Sequence, residues 1–204
     1  MRKHPQAPPS TVEEPSMERI VFFSDAVFAI AITLLALEIR LPVDAAELTD
    51  RELWSSLLAI WPKYLSFIIS FLVVGSFWMG HHRRFRFIKR YDNRLLFLNL
   101  LLMMAIAFIP FPTAIISESG NRTATIFYAL TVALTGLLSA LLWWYASHRN
   151  RLTDPLDAAQ HKRNMFHVLI TPTIFLVSIG VAFIHPDLAK FSWMLIAPAA
   201  IFVR

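Results

Sequence analysis

The chain has 204 residues, of which 56% are hydrophobic and only 16% charged, and its mean hydropathy is +0.55. A soluble domain carries about 25% charged residues, so this composition excludes a soluble globule and defines an integral membrane protein. The net charge of +5 and pI of about 9.9 do not point to nucleic acid, because the basic residues sit in short segments flanking apolar runs. The absence of cysteine removes any disulfide framework or thiolate metal site.

Residues 1–16, with Pro5, Pro8, Pro9 and Pro15, read as a disordered tail, which leaves 17–204 as one membrane domain. The first apolar run, 20–39, lies behind Glu13, Glu14 and Glu18 and lacks a small-residue cleavage pattern at its end. It is expected to remain as a helix rather than to leave as a signal peptide. The second run, 53–80, exceeds the length of one span, and Trp61-Pro62 marks where it starts afresh or bends. Runs 95–116, 124–146 and 165–184 each suit one span. Trp143, Trp144 and Tyr145 are expected to anchor the fourth span at the interface. A sixth run, 188–203, is short and holds Lys190 and Pro198; it is a tilted, kinked span or a segment lying partly in the interface. The expected fold class is an all-α membrane protein with six transmembrane helices per subunit and no internal repeat.

Lys and Arg in the short segments set the orientation. Arg2, Lys3 and Arg19 precede the first run; Arg83, Arg84, Arg86, Lys89, Arg90 and Arg94 follow the second; Arg149, Arg151, Lys162 and Arg163 follow the fourth. The alternate connections are poor in them, with Arg40 and Arg51 among Glu38, Asp44, Glu47, Asp50 and Glu52, then Arg122, then Lys190 beside Asp187. With an even number of spans, both termini are expected in the cytoplasm.

The triplet Phe23-Ser24-Asp25 puts a carboxylate inside the first run. An ionised Asp deep in a bilayer costs roughly 2.5–3.5 kcal/mol on insertion scales, so Asp25 turns to protein or water rather than lipid. Two readings fit. Ser24 and Asp25 cap a helix start through its free N–H groups, or Asp25 finds a polar partner on another helix; helix-like residues 20–23 before the triplet favour the second. Arg19 lies about 240° around the helix from Asp25 and is expected to meet another helix or subunit.

Further along, Ile30, Thr33, Leu34 and Leu37 recur at the i, i+3, i+4, i+7 spacing and share one stripe. The small Ala26, Ala29, Ala31 and Ala36 beside it permit close helix approach, so this helix is expected to sit among others. The stripe serves core packing or, where copies surround an axis, forms a narrow apolar constriction with one hydroxyl ring that gates by dewetting. The bare pattern leaves both open.

Arg19, Phe23-Ser24-Asp25, Ile30 and Thr33 together resemble the signature of the transmembrane protein 175 family, the endolysosomal potassium channels and their bacterial relatives. Trp78-Met79-Gly80-His81 resembles the family's Trp-x-x-His, and Asp92, Leu98-Asn99-Leu100, Met104, Phe108 and Pro110 resemble its third-helix pattern. The resemblance covers Arg19 to about Pro112. It implies a potassium-selective cation channel whose first helices line the pore, with the family's rings falling on Ile30, Thr33, Leu34 and Leu37. It also implies a structural polar network of Arg19, Phe23, Ser24, Asp25, Trp78, His81 and Asn99, in which Asp25 can reach His81. A single triplet implies the bacterial form: a homotetramer in the plasma membrane, with no cofactor beyond K+ as permeant ion and no partner beyond its own copies and lipid. Independently, the five glycines and the lack of a Thr-Val-Gly-Tyr-Gly segment exclude a carbonyl filter.

The rival classes have less to rest on. No second membrane carboxylate pairs with Asp25 at a helical spacing, and no Gly-x-Ser-x-Gly or His-Glu-x-x-His occurs, so an enzyme is not expected. His81 and His82 point about 100° apart and chelate one metal poorly. A secondary transporter, with Pro110, Pro112, Pro172 and Pro198 breaking helices around a midplane site, is the stronger alternative, together with a proton-permeable membrane protein. Ordinary solvated histidine accounts for His148, His161, His167 and His185 near the run ends.

Overall fold

The structure, a computed structural model, describes residues 17–41, 48–148 and 151–193. Among them the chain forms eight α-helices: α1 (Met17–Ala36), α2 (Asp50–Ala59), α3 (Trp61–Phe85), α4 (Asn93–Phe108), α5 (Pro110–Ser119), α6 (Arg122–Ser147), α7 (Ala158–Ile184) and α8 (Pro186–Trp193). Five stretches are long and apolar enough to cross a membrane, namely Met17–Ala36, Trp61–Phe85, Asn93–Ser119, Arg122–Ser147 and Ala158–Ile184. The third of these joins α4 to α5, where Pro110 lacks the N–H needed to continue the ladder. Most of the sixth predicted run, and the whole predicted tail, lie outside the described residues; what is described of that run falls in α8.

The long second run does start afresh. Thr49 and Glu52 form a reciprocal capping box that opens α2, and Pro62 sits in the first turn of α3, where its missing N–H costs nothing. No residue of α2 is buried. The other helix starts use short acceptors as well: Asp92, Asn121 and Asp157 each take a backbone N–H from three residues on. Gly120, at φ 56°, closes α5 in the left-handed region that a side chain disfavours.

The segments expected on one side of the membrane meet at one end of the bundle. The backbone N–H groups of Lys89 and Arg90 both donate to the Leu152 carbonyl, at 2.9 and 3.2 Å. The Tyr145 hydroxyl donates to Asp92 at 2.6 Å, and the Arg151 guanidinium lies 5.0 Å from the Tyr145 ring centre. Burial alone would raise the Asp92 carboxyl, but the Tyr145 and Leu95 hydrogen bonds and the charge of Arg151 together bring it below the usual carboxylate range. At the opposite end Lys190 donates to the Gly120 carbonyl at 2.6 Å and pairs with Asp187 at 3.0 Å. The lysine of the sixth run thus clasps the α5–α6 turn.

The Trp143-Trp144-Tyr145 cluster is not a common interface anchor. Only Trp144 lies on the surface; Trp143 is buried against Phe87 and Tyr145 is committed to Asp92. Successive helical positions differ by about 100°, so three consecutive aromatics cannot share one face.

The α6–α7 pair packs most closely where Gly136 meets Pro172. A Cβ at Gly136 would stand 2.7 Å from the proline ring, whereas one at Gly180 would meet nothing within 4 Å. Gly136→Ala is therefore expected to cost about 1–3 kcal/mol through overpacking, read as a lower unfolding midpoint in detergent. Gly180→Ala should be neutral or gain about 0.5–1 kcal/mol.

Candidate functional site

The first helix presents two opposite faces. Ser24, Phe28, Ala31 and Leu35, spaced four, three and four apart, are buried against α3, α4 and α5. The stripe across from them stays open within one chain: Ile30 is 59% exposed, Leu37 57% and, on the flank, Leu34 39%. Thr33 and the small Ala26 and Ala29 lie on this same open side. The helix is therefore half covered rather than surrounded, and from Ala26 onward its open face is apolar apart from one hydroxyl, with exposed Arg19 near its start. Thr33 donates that hydroxyl's single proton to the Ile30 carbonyl at 2.9 Å. Its oxygen lone pairs are left pointing outward as acceptors.

The polar residues of the triplet divide between two clasps. In the buried one, Ser24 donates to the Ile20 carbonyl at 2.9 Å and accepts from Asn99 Nδ2 at 3.0 Å, while Asn99 Oδ1 lies 3.0 Å from His81 Nε2. This order fixes the histidine tautomer: Asn99 Oδ1 can only accept, so His81 carries its proton on Nε2. His81 Nδ1 is then a buried lone pair with no partner among the described residues. The ring is held by aromatic contacts instead, stacked on Phe85 at 4.0 Å between centres and edge-on to Phe28 at 5.6 Å.

The outer clasp is the indole of Trp78 donating to Asp25 Oδ1 at 2.8 Å. The expected approach of Asp25 to His81 is corrected accordingly: the carboxylate's partner is Trp78, and the imidazole belongs to Asn99. Adjacent positions on α1 point about 100° apart, so Ser24 faces the core while Asp25 meets the rim of α3. Arg19 and Phe23 join neither clasp. Both are exposed, and Arg19 has no hydrogen bond or ion pair among the described residues. The triplet is not a helix cap, since α1 already begins at Met17.

Phe28 and Phe85, the ring contacts of His81, were not anticipated. Their signal is spacing: Phe28 lies four residues after Ser24 and Phe85 four after His81, each on the same helix face as the polar group it covers. A second buried polar set, Thr113 to Ser70 and Ser70 with Tyr128, both at 2.9 Å, ties α5, α3 and α6 together.

Because the Trp78 bond is partly open to the surroundings, Trp78→Phe is expected to cost no more than about 0.5–1.5 kcal/mol. A shift of the unfolding midpoint in detergent measures it.

Five apolar helical stretches long enough to cross a membrane, clasped by a few buried polar groups and leaving one face of α1 open, define a multi-pass α-helical membrane protein. The family model described as endosomal/lysosomal potassium channel TMEM175 matches residues 19–110. A protein of Streptomyces collinus named as a potassium channel is 36% identical over 176 residues, covering 83% of this chain and 84% of that one. The crystal structure of a lysosomal potassium-selective channel TMEM175 homologue from Chamaesiphon minutus superposes with a TM-score of 0.81 at 33% identity, over 92% of this chain and 98% of that one. The zebrafish relative, named an endosomal/lysosomal proton channel, is 31% identical over 151 residues, 72% of this chain but 28% of its own. The chain belongs to the TMEM175 family.

Proposed function

We propose that this protein is the subunit of a potassium-selective cation channel in which α1 from each of four copies surrounds a central conduit. The observation that carries the reading is the split character of α1. Its polar and aromatic face is locked into the chain by the Ser24–Asn99–His81 clasp, while Ile30, Thr33, Leu34 and Leu37 are left facing outward. A stripe meant for lipid needs no such locking; a stripe that must meet its own copies in register does.

The chemistry of the stripe suits alkali cations. Apolar rings at Ile30, Leu34 and Leu37 thin the water column, and an ion passing them sheds or distorts part of its hydration shell. Potassium holds its water less tightly than sodium, so the rings favour it. The outward lone pairs of Thr33 replace part of what is lost. Arg19, Phe23, Ser24, Asp25, Trp78, His81 and Asn99 act as scaffold: the last five orient α1, and exposed Arg19 and Phe23 contact the neighbouring copy. Each subunit has six spans, the basic end of the bundle faces the cytoplasm together with both termini, and the host membrane is the bacterial plasma membrane.

The test is potassium against sodium flux from liposomes containing the purified protein, with the oligomer's mass measured in parallel. Potassium flux exceeding sodium flux from a tetramer supports the reading. Slow, saturable, ion-coupled flux would point to a transporter. The name of the vertebrate relatives favours proton permeation as the second reading, and a pH-sensitive dye inside the same liposomes reports it.

A further inference from the structure

At the basic end, a cleft of about 350 Å³ opens between α3 and α7. Arg83, Arg84 and Arg86 line it from one side, and Arg163, Asn164 and His167 from the other. No carboxylate lines it, and among the described residues none of these arginines forms an ion pair. A topological signal needs arginines in exposed loops. It does not need the arrangement of Arg84, which is only 8% exposed and whose guanidinium makes a single hydrogen bond among the described residues, from Nη2 to Ser139 Oγ at 2.5 Å.

A buried guanidinium is normally matched by a carboxylate. Here the described residues supply none, and the chain makes room for the group instead: a Cβ on Gly80 would stand 3.0 Å from Arg84 Nη1. Asn164, which also lines the cleft, keeps its Nδ2 buried beneath that wall with no partner among the described residues. Forked guanidinium groups lining a cavity without a counter-charge are the complement of a phosphate oxyanion. We propose that this cleft binds an anionic phosphate group, supplied by a lipid headgroup of the adjoining leaflet or by free phosphate. The cleft lies apart from the α1 stripe, and its occupancy is read without measuring ion flow.

The experiment uses the full-length protein in phosphatidylcholine nanodiscs. Retention of phosphatidylglycerol is followed by native mass spectrometry in one arm. Thermal protection by inorganic phosphate over chloride at equal ionic strength is followed in the other. Binding in either arm that falls at least about tenfold, or about 1.4 kcal/mol, in Arg83→Gln/Arg163→Gln carries the assignment; the arm that responds identifies the source. Both substituted residues are exposed, so folding is spared. Arg94→Gln, which removes an exposed charge outside the cleft, is expected to leave binding unchanged. Equal weakening by Arg94→Gln, no effect of the double variant, or no binding in either arm overturns the proposal.

Discussion

Ile30→Asn is expected to raise cation flux from liposomes by about tenfold and to erode the preference for potassium over sodium. Ile30 is the most exposed of the stripe's aliphatic side chains, and four copies change at once in the proposed assembly. An amide ring would hold water where the isoleucine ring expels it, so the ion no longer sheds its shell. Tenfold corresponds to about 1.4 kcal/mol off the barrier, small beside the cost of partly dehydrating an ion. Selectivity falls with the barrier because it arises from the same dehydration. Leu37→Ala acts in the same direction by widening the conduit. Unchanged flux and ion preference in both variants would remove these residues from the permeation path.

Asn99→Leu is expected to be the most destabilising single change in the polar clasp. It strands the His81 Nε2–H and takes away the donor that Ser24 accepts. A buried donor left without a partner costs about 1–3 kcal/mol. In membranes the hydrogen bond itself averages only about 0.6 kcal/mol, so the stranded group dominates the loss. This distinction gives a sharper test than the single variant. His81→Phe/Asn99→Leu leaves Ser24 its bond to the Ile20 carbonyl and has no stranded imidazole, so it should be more stable than Asn99→Leu alone. A double variant with the summed loss of both singles would mean that shape, not polar pairing, holds α1. Midpoints of oligomer dissociation in detergent decide between them.

Much of this arrangement was legible in the sequence because helical period is so regular. The Ile30–Leu37 stripe and Ser24 fall on different faces of one helix by counting alone, and the structure exposes the first and buries the second. The restart of the second run was announced by Trp61-Pro62 and, in hindsight, by the Thr49–Glu52 capping box. Pairing was less legible. Trp78 and His81 lie three residues apart on one side of α3, and sequence cannot decide which of them meets residue 24 or 25 of α1. That choice depends on the relative height and rotation of α1, α3 and α4. Burial within the basic segments was also hidden, since Arg83 and Arg84 look alike in sequence and only packing against Ser139 and Gly80 separates them.

The absence of cysteine makes the central claim directly measurable, because every introduced thiol is the only one in the chain. Single cysteines at Ile30, Thr33, Leu34 and Leu37, and at Val177 on the exposed face of α7, are treated with a charged thiol reagent while potassium flux is recorded. Progressive block at the four α1 positions with none at Val177 is the predicted result. Full flux after modification of the α1 thiols, or block confined to Val177, would contradict a conduit lined by the first helix.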